Sequence, residues 1–131
     1  MSALKIQESA ENYLETILIL KNSKGTVRSI DIANELGFSK PSVSIAMKGL
    51  RENGYIEATA EGSISLLPKG QEIAEKILER HLLFTNWLIA LGVNPEVAKT
   101  DACRLEHAIS EESFAAIKKH AVGMDGADKT F

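Results

Sequence analysis

The sequence predicts a mainly α-helical protein with a two-stranded hairpin near its middle, and three observations carry that expectation. Apolar residues recur at helical spacing from Tyr13 to Leu20, from Val43 to Leu50, and over a long stretch after Pro68. Between the last two, Tyr55 to Thr59 and Ser63 to Leu67 alternate in the manner of short strands around the loop Ala60-Glu61-Gly62. Glycines stand where helices must stop, at Gly25, Gly37, Gly54 and Gly92.

The first helix gathers Tyr13, Leu14, Ile17, Leu18 and Leu20; Ser9 is its expected N-cap, and Asn22-Ser23-Lys24-Gly25 breaks it. The second runs from Ser29, its expected cap, to Gly37, with Ile30, Ala33 and Leu36 inward. After the tight turn Gly37-Phe38, Ser39 caps a third helix. Pro41 sits in its first turn, where a missing N–H does no harm, and Val43, Ala46, Met47 and Leu50 face the core.

Beyond the hairpin, Pro68-Lys69-Gly70 opens the longest helical stretch. Ile73, Ile77, Leu78, His81, Leu82, Phe84, Trp87, Leu88 and Leu91 form an apolar face wide enough to require a partner. Gly92-Val93-Asn94-Pro95 ends it. A helix from about Pro95 to Ile109 and a shorter one from Ser110 to about Lys119 follow, and the tail from Ala121 to Phe131 is expected to fray.

Length and charge limit what such a chain does. The 131 residues suit one compact domain or a small head followed by a helical segment, and the pattern divides them at about residue 70 into 1–70 and 71–131. A composition of 44% hydrophobic and 25% charged residues is that of a folded protein. With 15 Lys and Arg against 18 Asp and Glu, the net charge of -3 excludes a protein that coats nucleic acid indiscriminately, so any DNA contact must come from a local basic face. Met1 to Gln7 lack the apolar core of a secretory signal, and no apolar run approaches the ~20 residues that span a bilayer, so a cytoplasmic protein without membrane contact is expected. The single cysteine, Cys103, has no internal disulfide partner; it is a small core residue, a reactive thiol or a metal ligand.

Helix, tight turn, helix and hairpin is the order of a winged helix-turn-helix, whose second helix enters the major groove of DNA. Opposite the inward residues of that helix stand Ser39, Lys40, Ser42, Ser44 and Lys48, with Pro41 in the first turn and Arg51 near the end, a set of short hydroxyls and cations suited to phosphates and base edges. Lys24, Arg28, Lys40, Lys48 and Arg51 face only Asp31, Glu35 and Glu52 between positions 24 and 54, a local excess of two positive charges. At the hairpin tip Glu61 stands where a cation would favour phosphate. The same order also occurs in protein-interaction domains.

Cys103, Glu106 and His107 are spaced i, i+3, i+4 on one predicted helix, so a thiolate, a carboxylate and an imidazole share a face. Sulfur and nitrogen donors favour a first-row transition metal over Mg2+ or Ca2+. His81 lies on or beside the apolar face of the preceding long helix. Each of these residues also has a plain reading as a packed or solvated side chain.

Over Ser9 to about His120 the sequence resembles the diphtheria-toxin-repressor and manganese-transport-regulator family of metal-dependent bacterial repressors. The likeness is carried by Ala10-Glu11-Asn12-Tyr13-Leu14-Glu15-Thr16-Ile17, Ser39-Lys40-Pro41-Ser42-Val43-Ser44, Arg80-His81 and Asp101-Ala102-Cys103-Arg104-Leu105-Glu106-His107. The resemblance implies a homodimer on a palindromic double-stranded operator, controlled by an ion held between the first helix and the dimerisation helices. It assigns Asn12, Cys103, Glu106 and His107 to the iron-type primary site, and Glu15 and His81 to the manganese-type paired site. His81 also matches an ancillary iron-type histidine, but Thr85 and Lys99 replace that site's Glu and His, which implies its loss. Asn12 replaces the usual Met or Asp. The large members carry a C-terminal SH3-like domain that this chain is too short to hold, so it resembles the short form.

The expected function is thus metal-dependent transcriptional regulation, with Arg28, Ser39, Lys40, Pro41, Ser42, Ser44 and Lys48 on DNA. Fe2+ is favoured because Cys103 is softer than a carboxylate, with Mn2+ next. Two rivals stand beside it: a metal-independent winged-helix regulator with a decayed sensor, and a small metal-dependent hydrolase, which lacks a nucleophile or oxyanion motif.

Overall fold

The computed structural model describes residues 3–125. It contains six helices, α1 (Ala3–Lys24), α2 (Ser29–Leu36), α3 (Lys40–Glu52), α4 (Pro68–Ala90), α5 (Pro95–Ala108) and α6 (Glu111–Asp125), with strands β1 (Ile56–Ala58) and β2 (Ile64–Leu66) between α3 and α4. The chain divides into two compact units, Met1–Lys76 and Ile77–Phe131.

The first unit is a winged helix-turn-helix. Helix α1 starts earlier than its expected cap: Ser9 is inside it, because Ala3 to Glu8 are residues that tolerate helix well and continue its pattern. It closes at Gly25, in the left-handed region (φ 85°), whose N–H donates to the Lys21 carbonyl. Leu14, Ile17, Leu18 and Leu20 are buried. Tyr13 is half-buried and meets Phe38 edge-on at 6.0 Å.

The cap of α2 is Arg28, not Ser29. Its backbone N–H donates to the Asp31 carboxylate at 2.9 Å, the reciprocal half of a capping box, so an acid three residues into the helix fixes the helix start although no cap side chain accepts from the first turn. The inward face also differs, for Ile32 and Ala33 are buried while Ile30 is exposed, a shift of the helix about its axis that periodicity in eight residues cannot fix. Helix α3 follows its expectation: Ser39 Oγ accepts from the Ser42 N–H, Pro41 lies in the first turn, and Val43, Met47 and Leu50 are buried, with Ala46 half-buried.

The wing pairs Ile56 with Leu66, Glu57 with Ser65 and Ala58 with Ile64, antiparallel. Val27, buried, adds a single bridge to Ile64, whose N–H donates to the Val27 carbonyl at 2.7 Å. The segment between α1 and α2 thus becomes part of the wing, which alternation over so few residues does not signal. Within this unit α1 packs on α2 and β2, α2 on α3, and α3 on β1.

The second unit is helical. From its buried face α4 contributes Ile77, Leu83 and Phe84; Leu82 is exposed, and Leu91, also exposed, falls beyond the end of the helix. Leu83 and Phe84 close on Ala102 of α5 and Phe114 of α6, with Trp87, Ile109 and Ile117 packed around them, and Phe84 meets Phe114 edge-on at 5.7 Å. Asn94 caps α5 through the Glu96 N–H at 2.9 Å. Helix α6 continues to Asp125, past the expected stop near Lys119, with Ser110 Oγ accepting from the Ser113 N–H before it. Of the tail expected to fray, residues 126–131 lie outside the described residues. No described helix is long and apolar enough to cross a membrane.

Candidate metal centre and nucleic-acid interface

The metal-ligating residue types divide between the units. Asn12, half-buried, and Glu15, buried, stand three residues apart on α1. In the second unit α4 supplies His81, and α5 supplies Cys103, Glu106 and His107, the last half-buried. Helical spacing puts the three α5 residues on one side, and packing of α4 against α5 through Leu83, Phe84 and Ala102 brings His81 to two of them, Cys103 and Glu106; His107 is not part of that group.

One ligand atom from each of His81, Cys103 and Glu106 lies within 4.8 Å of the others. His81 Nδ1 is 3.3 Å from Glu106 Oε1 and 3.8 Å from Cys103 Sγ. Cys103 is exposed, which removes its reading as a small core residue. Glu106 is the reverse: it is 1% exposed, and neither carboxylate oxygen has a hydrogen-bond partner among the described residues. An ionised carboxylate buried in that state costs several kcal/mol unless a cation compensates it. A nitrogen, a sulfur and an oxygen donor converging on one point, the oxygen lacking hydrogen bonds, fit a first-row transition-metal ion.

The centre is braced from behind. Arg80, buried, donates from Nη1 to the Glu106 carbonyl at 3.2 Å and the Ile109 carbonyl at 2.7 Å, and lies over the Phe114 ring at 5.3 Å. It satisfies carbonyls that a helix end leaves without partners and sets a cation at the negative end of α5. Sequence reasoning missed this role; the signal available was a lone Arg next to His81 within an apolar stretch. Thr85 Oγ1 is buried without a hydrogen-bond partner and Lys99 is exposed, so neither residue supplies the carboxylate or imidazole of an ancillary site.

On the reading head Lys40, Pro41, Ser42, Ser44, Lys48 and Arg51 are all exposed. Ser39 is exposed too, but its hydroxyl donates to Ser42 Oγ at 2.9 Å while accepting at the helix cap, so Ser42 carries the outward donor. Arg28 Nη1 donates to the Glu61 carbonyl at the wing tip, 2.7 Å away. Lys24 is ion-paired with Asp31 at 2.6 Å; that contact, with the Arg28 N–H, holds the Asp31 carboxyl below the usual carboxylate range. The basic surface is therefore concentrated on α3. Sequence reasoning also passed over Ile45, 74% exposed on the same helix.

Residues 5–63 match the family model of the iron dependent repressor N-terminal DNA binding domain, and residues 67–121 match that of the iron dependent repressor metal binding and dimerisation domain. The chain belongs to the iron dependent repressor family. It is 36% identical over 110 residues to the transcriptional regulator MntR of Salmonella typhimurium, covering 84% of this chain and 70% of that one. A helix-turn-helix transcriptional regulator of Methanocaldococcus jannaschii is 33% identical over 115 residues, 86% of this chain and 92% of the other. Among solved structures, a manganese-dependent transcriptional repressor in complex with manganese superposes with a TM-score of 0.78 at 27% identity, over 86% of this chain and 52% of that one. The chain spans about half the length of such solved chains. These family members are transcriptional regulators, which sets the hydrolase reading aside.

Proposed function

We propose that the protein is a metal-responsive repressor, a homodimer that binds a palindromic operator when a divalent first-row ion is held by His81, Cys103, Glu106 and His107, with Asn12 and Glu15 as ligands from α1. The division at about residue 70 into a reading head and a metal-binding, dimerising segment belongs to this proposal, as do a cytoplasmic setting and metal-uptake genes as targets. Its DNA contacts are Arg28, Ser39, Lys40, Pro41, Ser42, Ser44 and Lys48. The observation that carries it is the Glu106 carboxylate, buried and without hydrogen bonds beside His81 and Cys103.

The bound ion supplies the positive charge that this carboxylate and the Cys103 thiolate call for. His81 and Glu106 orient the site, and Arg80 fixes the backbone of Glu106. Two considerations pull the choice of metal in different directions: the names of the relatives favour Mn2+, while a thiolate at 103 favours Fe2+. Competition between the two ions at equal free concentration decides between them.

The test is operator affinity with and without metal. Duplex selected from a random pool is expected to bind one to two decades more tightly with Fe2+ or Mn2+ than with chelator, the size of a typical coupling free energy. Equal affinity in both would make the protein a metal-independent regulator.

A further inference from the structure

We propose that Ile45 reads a thymine methyl group in the major groove, making it a specificity-determining residue of the reading helix. Ile45 lies two residues from each of the buried Val43 and Met47, which in a helix of 3.6 residues per turn places it about 200° from either, on the side farthest from the core. At 74% exposed it is far more open than any other large apolar side chain among the described residues, the next being Leu91 at 53%. A scattered exposed aliphatic on an ordinary surface would mean nothing. This one sits at the centre of a polar face, one helical turn from Pro41, Ser42 and Lys48, all exposed.

The setting points to nucleic acid and not to another protein. Lys40 and Lys48 flank the side chain, and the acid on α3, Glu52, comes only in the last turn. Residues 5–63, which include this helix, match a DNA binding domain. An aliphatic chain cannot donate or accept a hydrogen bond, so at a base edge it can gain only by apolar contact. In the major groove only thymine offers a methyl group; at the equivalent place cytosine has a bare C5–H, with its N4 amino donor beside it, so an aliphatic chain there loses the methyl contact and covers a donor that it cannot pair. Ile45 therefore favours thymine and disfavours cytosine at one position in each half-site, while Ser42, Ser44 and Lys48 supply the polar contacts around it.

The inference rests on DNA binding by this face but not on metal control, and the experiment separates the two. Duplexes are selected from a random pool by the full-length wild type and by Ile45→Ser, each with saturating Mn2+ and again with chelator. Thymines of the preferred duplex are then replaced one at a time by deoxyuridine, which lacks only the methyl. The wild type is expected to select a thymine that the variant does not select. Deoxyuridine at that position should weaken wild-type binding about four-fold, the factor expected from burying one methyl group, and leave Ile45→Ser binding unchanged. Pools with the same base preferences, or wild-type affinity indifferent to every replacement, would overturn the proposal. Affinity for the preferred duplex that is equal with Mn2+ and with chelator, the thymine preference persisting, would sink metal control and leave the role of Ile45 standing. Because the side chain is exposed, the substitution does not threaten the core.

Discussion

His81 Nδ1 and Glu106 Oε1 approach to 3.3 Å from two different helices, and the carboxylate concerned is almost wholly withdrawn from solvent. A buried carboxylate with no hydrogen bonds is a cost to the metal-free fold and an advantage only once a cation arrives. Glu106→Gln keeps the shape and removes the charge. It is expected to leave the metal-free protein at least as stable as wild type while abolishing the stabilisation by added metal, which for an intact site at 100 times Kd is about 2.7 kcal/mol. Thermal unfolding of both proteins with and without Mn2+ checks this; a full metal-induced rise in Tm for the variant would remove Glu106 from the ligand set.

Arg80 holds the Glu106 and Ile109 carbonyls and covers Phe114. Arg80→Met fills part of the volume but leaves two carbonyls of the α5 terminus without their donor, and should cost about 2 to 4 kcal/mol in denaturant unfolding. Arg80→Lys should recover little, since a point ammonium cannot both reach two carbonyls and lie flat on a ring. Full stability of the lysine variant would show that charge alone is enough.

Gly70 lies in the first turn of α4 against Tyr55, and a Cβ added there would fall on the Tyr55 carbonyl. Gly70→Ala should therefore destabilise the reading head by about 1 to 3 kcal/mol although alanine is the better helix former. Stability equal to wild type would mean the helix start and the wing move apart freely.

These sites differ in how far the sequence exposes them. Cys103, Glu106 and His107 were legible because one helix fixes their spacing, and the Ser39 cap was legible because residue type and position suffice. His81 could be joined to them only through the family resemblance, since its distance to Cys103 depends on how two helices pack. The bracing by Arg80, the bridge from Val27 to the wing and the Tyr55 carbonyl over Gly70 all join residues far apart in sequence, where no local period operates. Ile45 was hidden for a different reason: the outward face of α3 is read for hydroxyls and cations, and an apolar side chain among them carries no polar signal.

Lys40 and Lys48 are exposed on α3 with no acid between them. If each neutralises one phosphate, Lys40→Ala and Lys48→Ala weaken binding to every duplex and each reduces the slope of log affinity against log salt by about 1. This differs from Ile45→Ser, which should change base preference and leave the salt slope alone. Titrations from low to moderate salt on one selected duplex check it, and slopes unchanged in both lysine variants would move the phosphate contacts off this helix.

Asp31 provides the pH test of the reading head. Its carboxyl is held low in the folded protein by Lys24 and by the Arg28 N–H, so the folded state prefers the ionised form more than the unfolded chain does. With the folded value below the unfolded one, the contribution to stability is fully present above the ordinary aspartate value of about 3.9 and is lost as pH falls through that value and then through the lower folded one. The side chain ties the start of α2 to the end of α1, so protonation loosens both helix ends. Asp31→Asn removes the carboxylate at all pH values, and the stability difference between wild type and variant is expected to be constant near neutrality and to shrink below about pH 4. Urea midpoints measured from pH 7 down to the acid limit of folding check this. A difference that stays constant throughout would mean that Asp31 acts by its shape alone, and that the cap of α2 does not depend on its charge.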